Sequence, residues 1–203
     1  MKIDCLDEKT ISDIGRAFAY YDYGAERGLV SAFAQKEQTE IYICGFARAM
    51  LKAGLMYTTS ERQEGFIAYK RPGQKISVSA YMPLLRGVMQ SMSFGEMIRF
   101  ARRMSRGGKG LRQQMDQEKK PYIYVGMVCV REAYQGQGCM RKVMEMAFED
   151  GNRLHVPVVL ETDAKSKCDK YMHLGMELDR TRDLGELGKL YDLIKYPDKE
   201  KAK

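Results

Sequence analysis

The spacing of apolar residues along the chain changes near residue 120, and this change predicts two parts with different structures. Before it, apolar side chains recur every three or four positions, which is typical of amphipathic helices. Two short runs rich in Tyr, Thr, Phe and Ile instead predict a β-hairpin. The predicted elements are helices at Thr10–Tyr20 and Glu40–Lys52, hairpin strands at Leu55–Thr59 and Gly65–Tyr69, and a Met-rich helical stretch at Ser77–Glu118.

The same periodicity predicts which of these side chains are buried. One stripe of the second helix contains Ile41, Cys44, Ala47 and Leu51. In the Met-rich stretch the candidate core positions are Leu84, Leu85, Val88, Met92, Met97, Ile98, Ala101 and Met104. Methionine fills irregular gaps in cores. We therefore interpret this stripe as core packing and rank an adaptable wall of a binding pocket second.

From Tyr122 onward the pattern is that of a β-α-β unit. Tyr122–Val130 is a nearly continuous apolar run, typical of a buried strand, and Val156–Leu160 is a second one. Gly136–Gly151 lies between them with the helical period, so the two strands should be parallel. The remaining predicted elements are a helix at Lys165–Leu174 and strands at Met176–Arg182 and Lys189–Tyr196, which we expect to form a hairpin.

Together these elements predict an α/β (α+β) fold, with a mixed, twisted central sheet flanked by helices and a helical segment before the central strand. Because 203 residues suffice for one core, we expect one domain over residues 1–196. Residues 1–120 would supply the N-terminal helices and hairpin, and residues 121–196 the ligand-binding core. The polar tail, residues 197–203, is expected to fray.

Composition disfavours several classes of protein. With 44% hydrophobic and 30% charged residues the chain is expected to fold. It has neither the apolar core of a secretory signal near its start nor the roughly 20 consecutive apolar residues of a membrane-spanning helix. Five cysteines without a C-x-x-C pair, and only two histidines, indicate neither a disulfide framework nor a metal site. We therefore expect a cytoplasmic protein that binds no metal and no membrane.

The net charge of +7 favours anionic ligands, which include nucleic acids, anionic lipids and phosphorylated cofactors. Much of the excess lies at Arg99, Arg102, Arg103, Arg106, Lys109 and Arg112. Such a run is most often a solvated helix face. It also lacks the interleaved aromatic residues and the recognisable module of a nucleic-acid binder. Nucleic-acid binding is therefore the least favoured interpretation.

A glycine-rich turn between the first strand and the helix of the β-α-β unit is the strongest candidate for a ligand site. Gly136 and Gly138 allow a close approach to the backbone, and the first N–H groups of a helix attract anions. A pyrophosphate suits such a turn. The Walker sequence is absent, and a dinucleotide fingerprint would require glycine where the chain has Arg141.

The segment Gln135-Gly136-Gln137-Gly138-Cys139-Met140 resembles the Q/R-x-x-G-x-G/A motif of the GCN5-related N-acetyltransferase (GNAT) family, apart from Met140 at the last position. The surrounding sequence is similar to the family as well. Val128-Cys129-Val130 precedes the motif, and Leu160-Glu161-Thr162, Tyr171 and Gly175-Met176 follow it in the family's order. The resemblance covers about Tyr122–Tyr196 and implies an acetyl-CoA site where the two parallel strands splay apart.

This resemblance implies roles for particular residues. The backbone of Met127, Val128, Cys129 and Val130 would bind the pantetheine arm. The pyrophosphate would lie on the loop of Gln135, Gly136, Gln137, Gly138, Cys139, Met140 and Arg141. Lys167 stands where relatives often have an asparagine that contacts the cofactor; it could reach a CoA phosphate as a point charge or be solvated.

Two side chains are candidates for proton transfer. Tyr171 matches the family's tyrosine that protonates the departing CoA thiolate, although by residue type alone it would be one packing tyrosine among 13. Glu161 could deprotonate an amine, or it could cap a helix or pair with a lysine. Weaker candidates for the base are Glu40, Glu61 and Glu64.

The resemblance thus implies an acyltransferase that moves an acetyl group from acetyl-CoA to an amine by direct attack while both substrates are bound. The amine would belong to a small molecule or to a protein, and the enzyme would act as a monomer or homodimer. The alternative is a catalytically inactive acyl-CoA-binding sensor or scaffold, which the lysine at position 167 keeps open.

Overall fold

The computed structural model describes residues 1–198, except for the side chain of Arg106, and in this range six strands form one mixed sheet flanked by helices. The helices are α1 (Glu8–Ala19), α2 (Lys36–Lys52), α3 (Met82–Ser91), α4 (Phe94–Arg106), α5 (Leu111–Gln117), α6 (Cys139–Leu154) and α7 (Lys165–His173). The strands are β1 (Met56–Thr58), β2 (Gly65–Lys70), β3 (Ile123–Val130), β4 (Val158–Thr162), β5 (Glu177–Asp183) and β6 (Lys189–Lys195). The expected mixed sheet, preceded by a helical segment, is confirmed.

The strands lie in the order β1-β2-β3-β4-β6-β5. Only β3 and β4 are parallel neighbours in the described sheet, as the β-α-β pattern predicts. The last two strands pair antiparallel, as expected of a hairpin, but β6 rather than β5 lies against β4. The final strand is therefore inserted into the sheet, a feature that the sequence pattern did not predict.

Helices cover both faces of the sheet. Neighbouring residues of β2 point to opposite sides, so that Ile67 packs with Met144 of α6, while Phe66 packs with Ile14 of α1 and Ala47 of α2. All five side chains are fully buried. A third, smaller core lies where α5 packs against β4 and β6. The fold thus places the centre of the sheet between two helical layers.

An irregularity in β3 opens the sheet near its centre. Ala68 of β2 pairs with Met127 and Tyr69 pairs with Val125, so Gly126 has no partner in β2. An extra residue of this kind is a β-bulge, which bends its strand and reverses the alternation of side chains beyond it. Val125 accordingly packs with the α6 core, whereas Met127 packs with the α1–α2 core.

Beyond the bulge, β3 separates from β4. The parallel pairing joins Ile123–Val125 to Val158–Leu160 and ends there. Gly126–Val130 and Glu161–Thr162 therefore lie on the two sides of a cleft. The predicted separation of these two strands is present in the structure.

The predicted burial of the Met-rich stretch is largely wrong. This stretch forms α3, α4 and α5, and among its eight predicted core positions Met92 is the buried one. Leu85 is 50% exposed and Ile98 is 39% exposed. Ala101 is exposed as well, and the half-buried positions are Leu84, Val88, Met97 and Met104.

The reason lies in how α3 meets α2. A Cβ atom built on Gly45 of α2 would lie 3.0 Å from the Cα atom of Gly87 in α3. The two helices thus touch through glycines, and their backbones approach too closely for large side chains between them. The Leu and Met side chains of α3 are left on its other sides.

The stripe predicted for α2 is wrong in part. Cys44 and Ala47 are buried, but Ile41 is 38% exposed and Leu51 is half-buried, whereas Ile43 is buried. This helix packs against α1 and α3 as well as against the sheet. Its buried surface is therefore not the single stripe that periodicity alone selects.

Two boundaries also differ from prediction. Helix α6 begins at Cys139 instead of Gly136, because Gly136 and Gly138 both have φ of +75°, outside the helical region. At the other end, the backbone N–H of Asp198 donates to Asn152 at 2.9 Å, so the expected fraying does not include Asp198. Residues 199–203 lie outside the described part. Within residues 1–198 no helix combines the length and apolar character needed to cross a membrane.

Candidate active site

The cleft between β3 and β4 opens into a cavity of about 1010 Å³. Its lining includes residues of β3, β4, the loop before α6, and helices α1, α2, α6 and α7. The predicted site residues that line it are Met127, Val128, Cys129, Val130, Gln135, Gly136, Gly138, Cys139, Met140, Arg141, Glu161, Lys167 and Tyr171. Gln137 does not line it; its side-chain amide donates to the Ala133 carbonyl at 3.1 Å.

The loop before α6 presents an uncapped helix terminus to this cavity. Gly138 is the N-cap residue, and since it has no side chain, no side-chain acceptor satisfies the first N–H groups of the helix. A Cβ atom on Gly136 or Gly138 would meet no protein atom within 4 Å, so the space beside the loop is open. Free N–H groups at the positive end of a 16-residue helix suit a phosphate.

In the second half of β3, the backbone is more available to a ligand in the cleft than the side chains are. Met127 and Cys129 are only 5% and 4% exposed, because their side chains belong to the α1–α2 core. On the cleft side, pairing with β4 has ended. The strand edge can therefore hydrogen-bond an extended ligand as a further strand would.

Tyr171 lies in α7 with its ring buried in the α6 core and its surface against the cavity. Its hydroxyl has no hydrogen-bond partner among the described residues. Burial, followed by the negative charge of Asp163, raises the pKa of Tyr171. The phenol is therefore protonated at neutral pH.

The side chain of Lys167 is only 16% exposed, so the interpretation that it is solvated is wrong. Its ammonium nitrogen lies 2.8 Å from Asp163 Oδ1 and 3.2 Å from the Tyr23 hydroxyl oxygen, and it stands 4.2 Å from the centre of the Tyr21 ring. Burial raises the pKa of Asp163, but Lys167 and Tyr23 outweigh it and hold that pKa below its usual value. Contact between Lys167 and a cofactor stays a prediction.

Glu161 lies at the cleft on β4, and its carboxylate is held by an arginine. Oε1 is 3.1 Å from Nη2 of Arg182, which also bonds the fully buried Asp192 at 2.8 Å. Burial and the negative charge of Asp192 raise the pKa of Glu161 by more than Arg182 and Arg112 lower it. A partly buried carboxylate with a raised pKa is a suitable proton acceptor. The weaker candidates Glu40, Glu61 and Glu64 do not line the cavity.

Several residues at this cavity were missed from the sequence. Tyr42 and Phe46 of α2 and Tyr124 of β3 line it. The spacing of Tyr42 and Phe46, one helical turn apart, could have identified them as one face. Arg182 and Asp192 gave no such signal, because they meet only through the pairing of β5 with β6.

The described residues contain no group of three or more His, Cys, Asp and Glu side chains placed to hold a metal ion. All five cysteines are unpaired in the structure, and Cys139 is buried.

No family model matches the sequence, and no curated protein matches it either. Solved structures do resemble it. A Corynebacterium glutamicum protein described as a histone acetyltransferase and related acetyltransferase has a TM-score of 0.60 at 12% identity, covering 100% of this chain and 97% of that one. Arylalkylamine N-acetyltransferase 2 of Aedes aegypti has a TM-score of 0.53 at 13% identity, covering 95% and 97%.

A third structure, that of the NatC complex bound to Gag peptide and CoA, has a TM-score of 0.50 at 14% identity, covering 98% of this chain and 97% of that one. At such low identity these likenesses concern the fold, and they extend over nearly the whole chain.

Proposed function

We propose that this chain, which has the fold of the GCN5-related N-acetyltransferases, transfers an acetyl group from acetyl-CoA to an amine. One observation carries the proposal. A single cavity is lined by an uncapped helix terminus, a separated strand edge, a tyrosine hydroxyl without a partner in the described part of the chain, and a carboxylate of raised pKa.

The residues present fit acetyl-CoA. Its pyrophosphate suits the loop of Gln135–Arg141, where Gly136 and Gly138 leave open space and the N–H groups of α6 are uncapped. Its pantetheine arm suits the free edge of Met127–Val130. Because these contacts use the backbone, Met140 in place of a small residue is compatible with them. Bound here, acetyl-CoA supplies the thioester carbon that the amine attacks.

Two side chains then move protons. Glu161 takes a proton from the ammonium form of the acceptor, whose free amine bonds to the thioester carbon. The carbon–sulfur bond breaks, and Tyr171 gives its proton to the sulfur. The second proton leaving the nitrogen restores the phenol, and Glu161 releases its proton to solvent, so that acetylated amine, CoA thiol and one proton result. The cleft holds both substrates in contact, which replaces a bimolecular encounter.

Ligand-dependent thermal unfolding tests the proposal. Acetyl-CoA at 100 times its Kd should stabilise the fold by about 2.7 kcal/mol. Acetyl-pantetheine, which lacks the pyrophosphate, should stabilise it less. Release of CoA thiol should then require an added amine. No shift at millimolar acetyl-CoA would refute the cofactor site, and a shift without turnover on any amine would favour the sensor.

A further inference from the structure

The amine end of the cleft is lined by aromatic rings around the β3 bulge. A Cβ atom on Gly126 would lie 3.5 Å from Cζ of Phe46 and 3.5 Å from Cε1 of Tyr124. Tyr124 lies close enough to Tyr42 and to Glu161 for both to raise its pKa, after burial, to about 12. Phe46 and Tyr124 thus flank the bulge, and Tyr124 lies near Glu161, the carboxylate that we propose as the base and that Arg182 contacts at 3.1 Å.

Further apolar side chains line the same cavity. Phe18 contributes from α1, and Tyr21 from the segment that follows it. Ala17, Leu29, Ile43, Met104 and Leu190 line it as well. A wall of this composition gains free energy by removing apolar ligand surface from water.

The charges at the cavity limit how many ammonium groups it can accept. The carboxylates lining it within residues 1–198 are Glu161, Asp163 and Asp169. Arg182 contacts Oε1 of Glu161, while Oε2 has no partner among the described side chains of residues 1–198 and can face one ammonium group. Asp163 is already engaged by Lys167, the Tyr23 hydroxyl and a backbone N–H, and Asp169 forms an ion pair with Lys165. A second ammonium group of the ligand would thus be buried without a counter-charge, which is costly.

Resting on the proposed function, we infer that the acceptor is a small primary amine with one positive charge and an apolar, preferably aromatic, substituent. The ammonium group lies at Glu161, and the substituent lies among Phe46, Tyr42 and Tyr124. Polyamines and amino sugars are poor acceptors, because the first bring a second charge and the second offer little apolar surface to the rings.

Calorimetry on the CoA-saturated protein measures this preference without turnover. Ethylamine, butylamine and phenethylamine should bind in rising order. Between ethylamine and butylamine, the affinity should rise by roughly fourfold for each added methylene. Putrescine, which matches butylamine apart from its second amine, should bind at least about tenfold more weakly than butylamine. The kcat/KM values should follow the same order.

The failures are distinguishable. If acetyl-CoA binds and amines are acetylated, but putrescine, glucosamine or a peptide with an N-terminal methionine is preferred to phenethylamine, the inference is wrong and the proposed function stands. If acetyl-CoA does not bind, the proposed function itself fails.

Two variants locate the specificity. Phe46→Ala removes a ring, and Gly126→Ala inserts a methyl group at ordinary contact distance from two rings, where φ is not positive and the fold should tolerate it. In each variant, the ratio of the affinity for phenethylamine to the affinity for ethylamine, taken from the Kd values, should fall by at least about tenfold. Phe94→Ala, on a side chain 75% exposed in α4, is the matched control and should leave the ratio as it is. A ratio that does not fall in Gly126→Ala would overturn the assignment.

Discussion

At the scale of single residues, Tyr171 gives the sharpest test of the chemistry. Its hydroxyl is protonated, lies at the cavity and has no described partner, so Tyr171→Phe removes a proton donor and little packing. Acetyl-CoA affinity should change little, while the single-turnover rate should fall by roughly 10² to 10⁴. Tyr122→Phe, which removes a hydroxyl bonded to Asp116 outside the cavity, should change neither. An unchanged rate in the Phe variant would make Tyr171 a packing residue.

The sequence identified residues whose position in the chain is diagnostic, and missed those that only the fold brings together. Tyr171 was found because it lies four residues before Gly175, and Glu161 because it ends a predicted strand. Arg182 comes into contact with Glu161 because β6 is inserted beside β4 and carries Asp192, which holds the guanidinium. No local pattern encodes that insertion.

At the scale of elements, the loop before α6 can be tested with an unusually close control. Gly138 and Gly73 have φ of +75° and +73°, and a Cβ on either meets nothing within 4 Å. Asparagine tolerates this left-handed conformation. Gly138→Asn should weaken acetyl-CoA binding by roughly 10- to 100-fold, comparable to losing a hydrogen bond to a charged group.

Gly73→Asn lies in the turn after β2, away from the cavity, so it should cost similar stability and leave binding as it is. Isothermal titration of both variants separates the two effects. Equal acetyl-CoA affinity in the two proteins would place the phosphates elsewhere.

The elements also show why burial was predicted well in one half of the chain and poorly in the other. Helix α6 packs on one sheet face. Its helical period predicts Met140, Val143, Met144 and Ala147 on the inner side, and all of these are buried except the half-buried Met140. Helix α3 packs through Gly87, which a search for large apolar side chains overlooks. Hydrophobic periodicity identifies an apolar face of a helix, but the element that packs against the helix determines which face is buried.

At the scale of the whole molecule, the two sheet faces carry separate cores, and a polar cluster adds to the apolar packing between α6 and the β1–β2 hairpin. Asp150 of α6 accepts hydrogen bonds from the Tyr69 hydroxyl and from Nε of Arg71, each at 2.7 Å, and it also pairs with Arg153. Asp150 is only 8% exposed. This cluster ties an early hairpin to a late helix across the domain we expect.

Asp150 should therefore make stability depend on pH. Burial raises the pKa of Asp150, but the hydrogen bonds from Arg153, Tyr69 and Arg71 outweigh it, and the pKa lies below its usual value. A carboxyl group whose pKa is lower in the folded state stabilises the fold above its unfolded pKa, near 4, and this contribution is lost as pH falls through the folded value.

Asp150→Asn should cost about 1 to 3 kcal/mol at pH 7, as expected for lost hydrogen bonds to charged groups. Urea unfolding should show the difference from wild type shrinking below about pH 4. Asp4→Asn, the same change in a pair whose carboxylate is 85% exposed, should cost less than about 1 kcal/mol at either pH. A pH-independent loss in Asp150→Asn would mean that shape, and not charge, makes this position important.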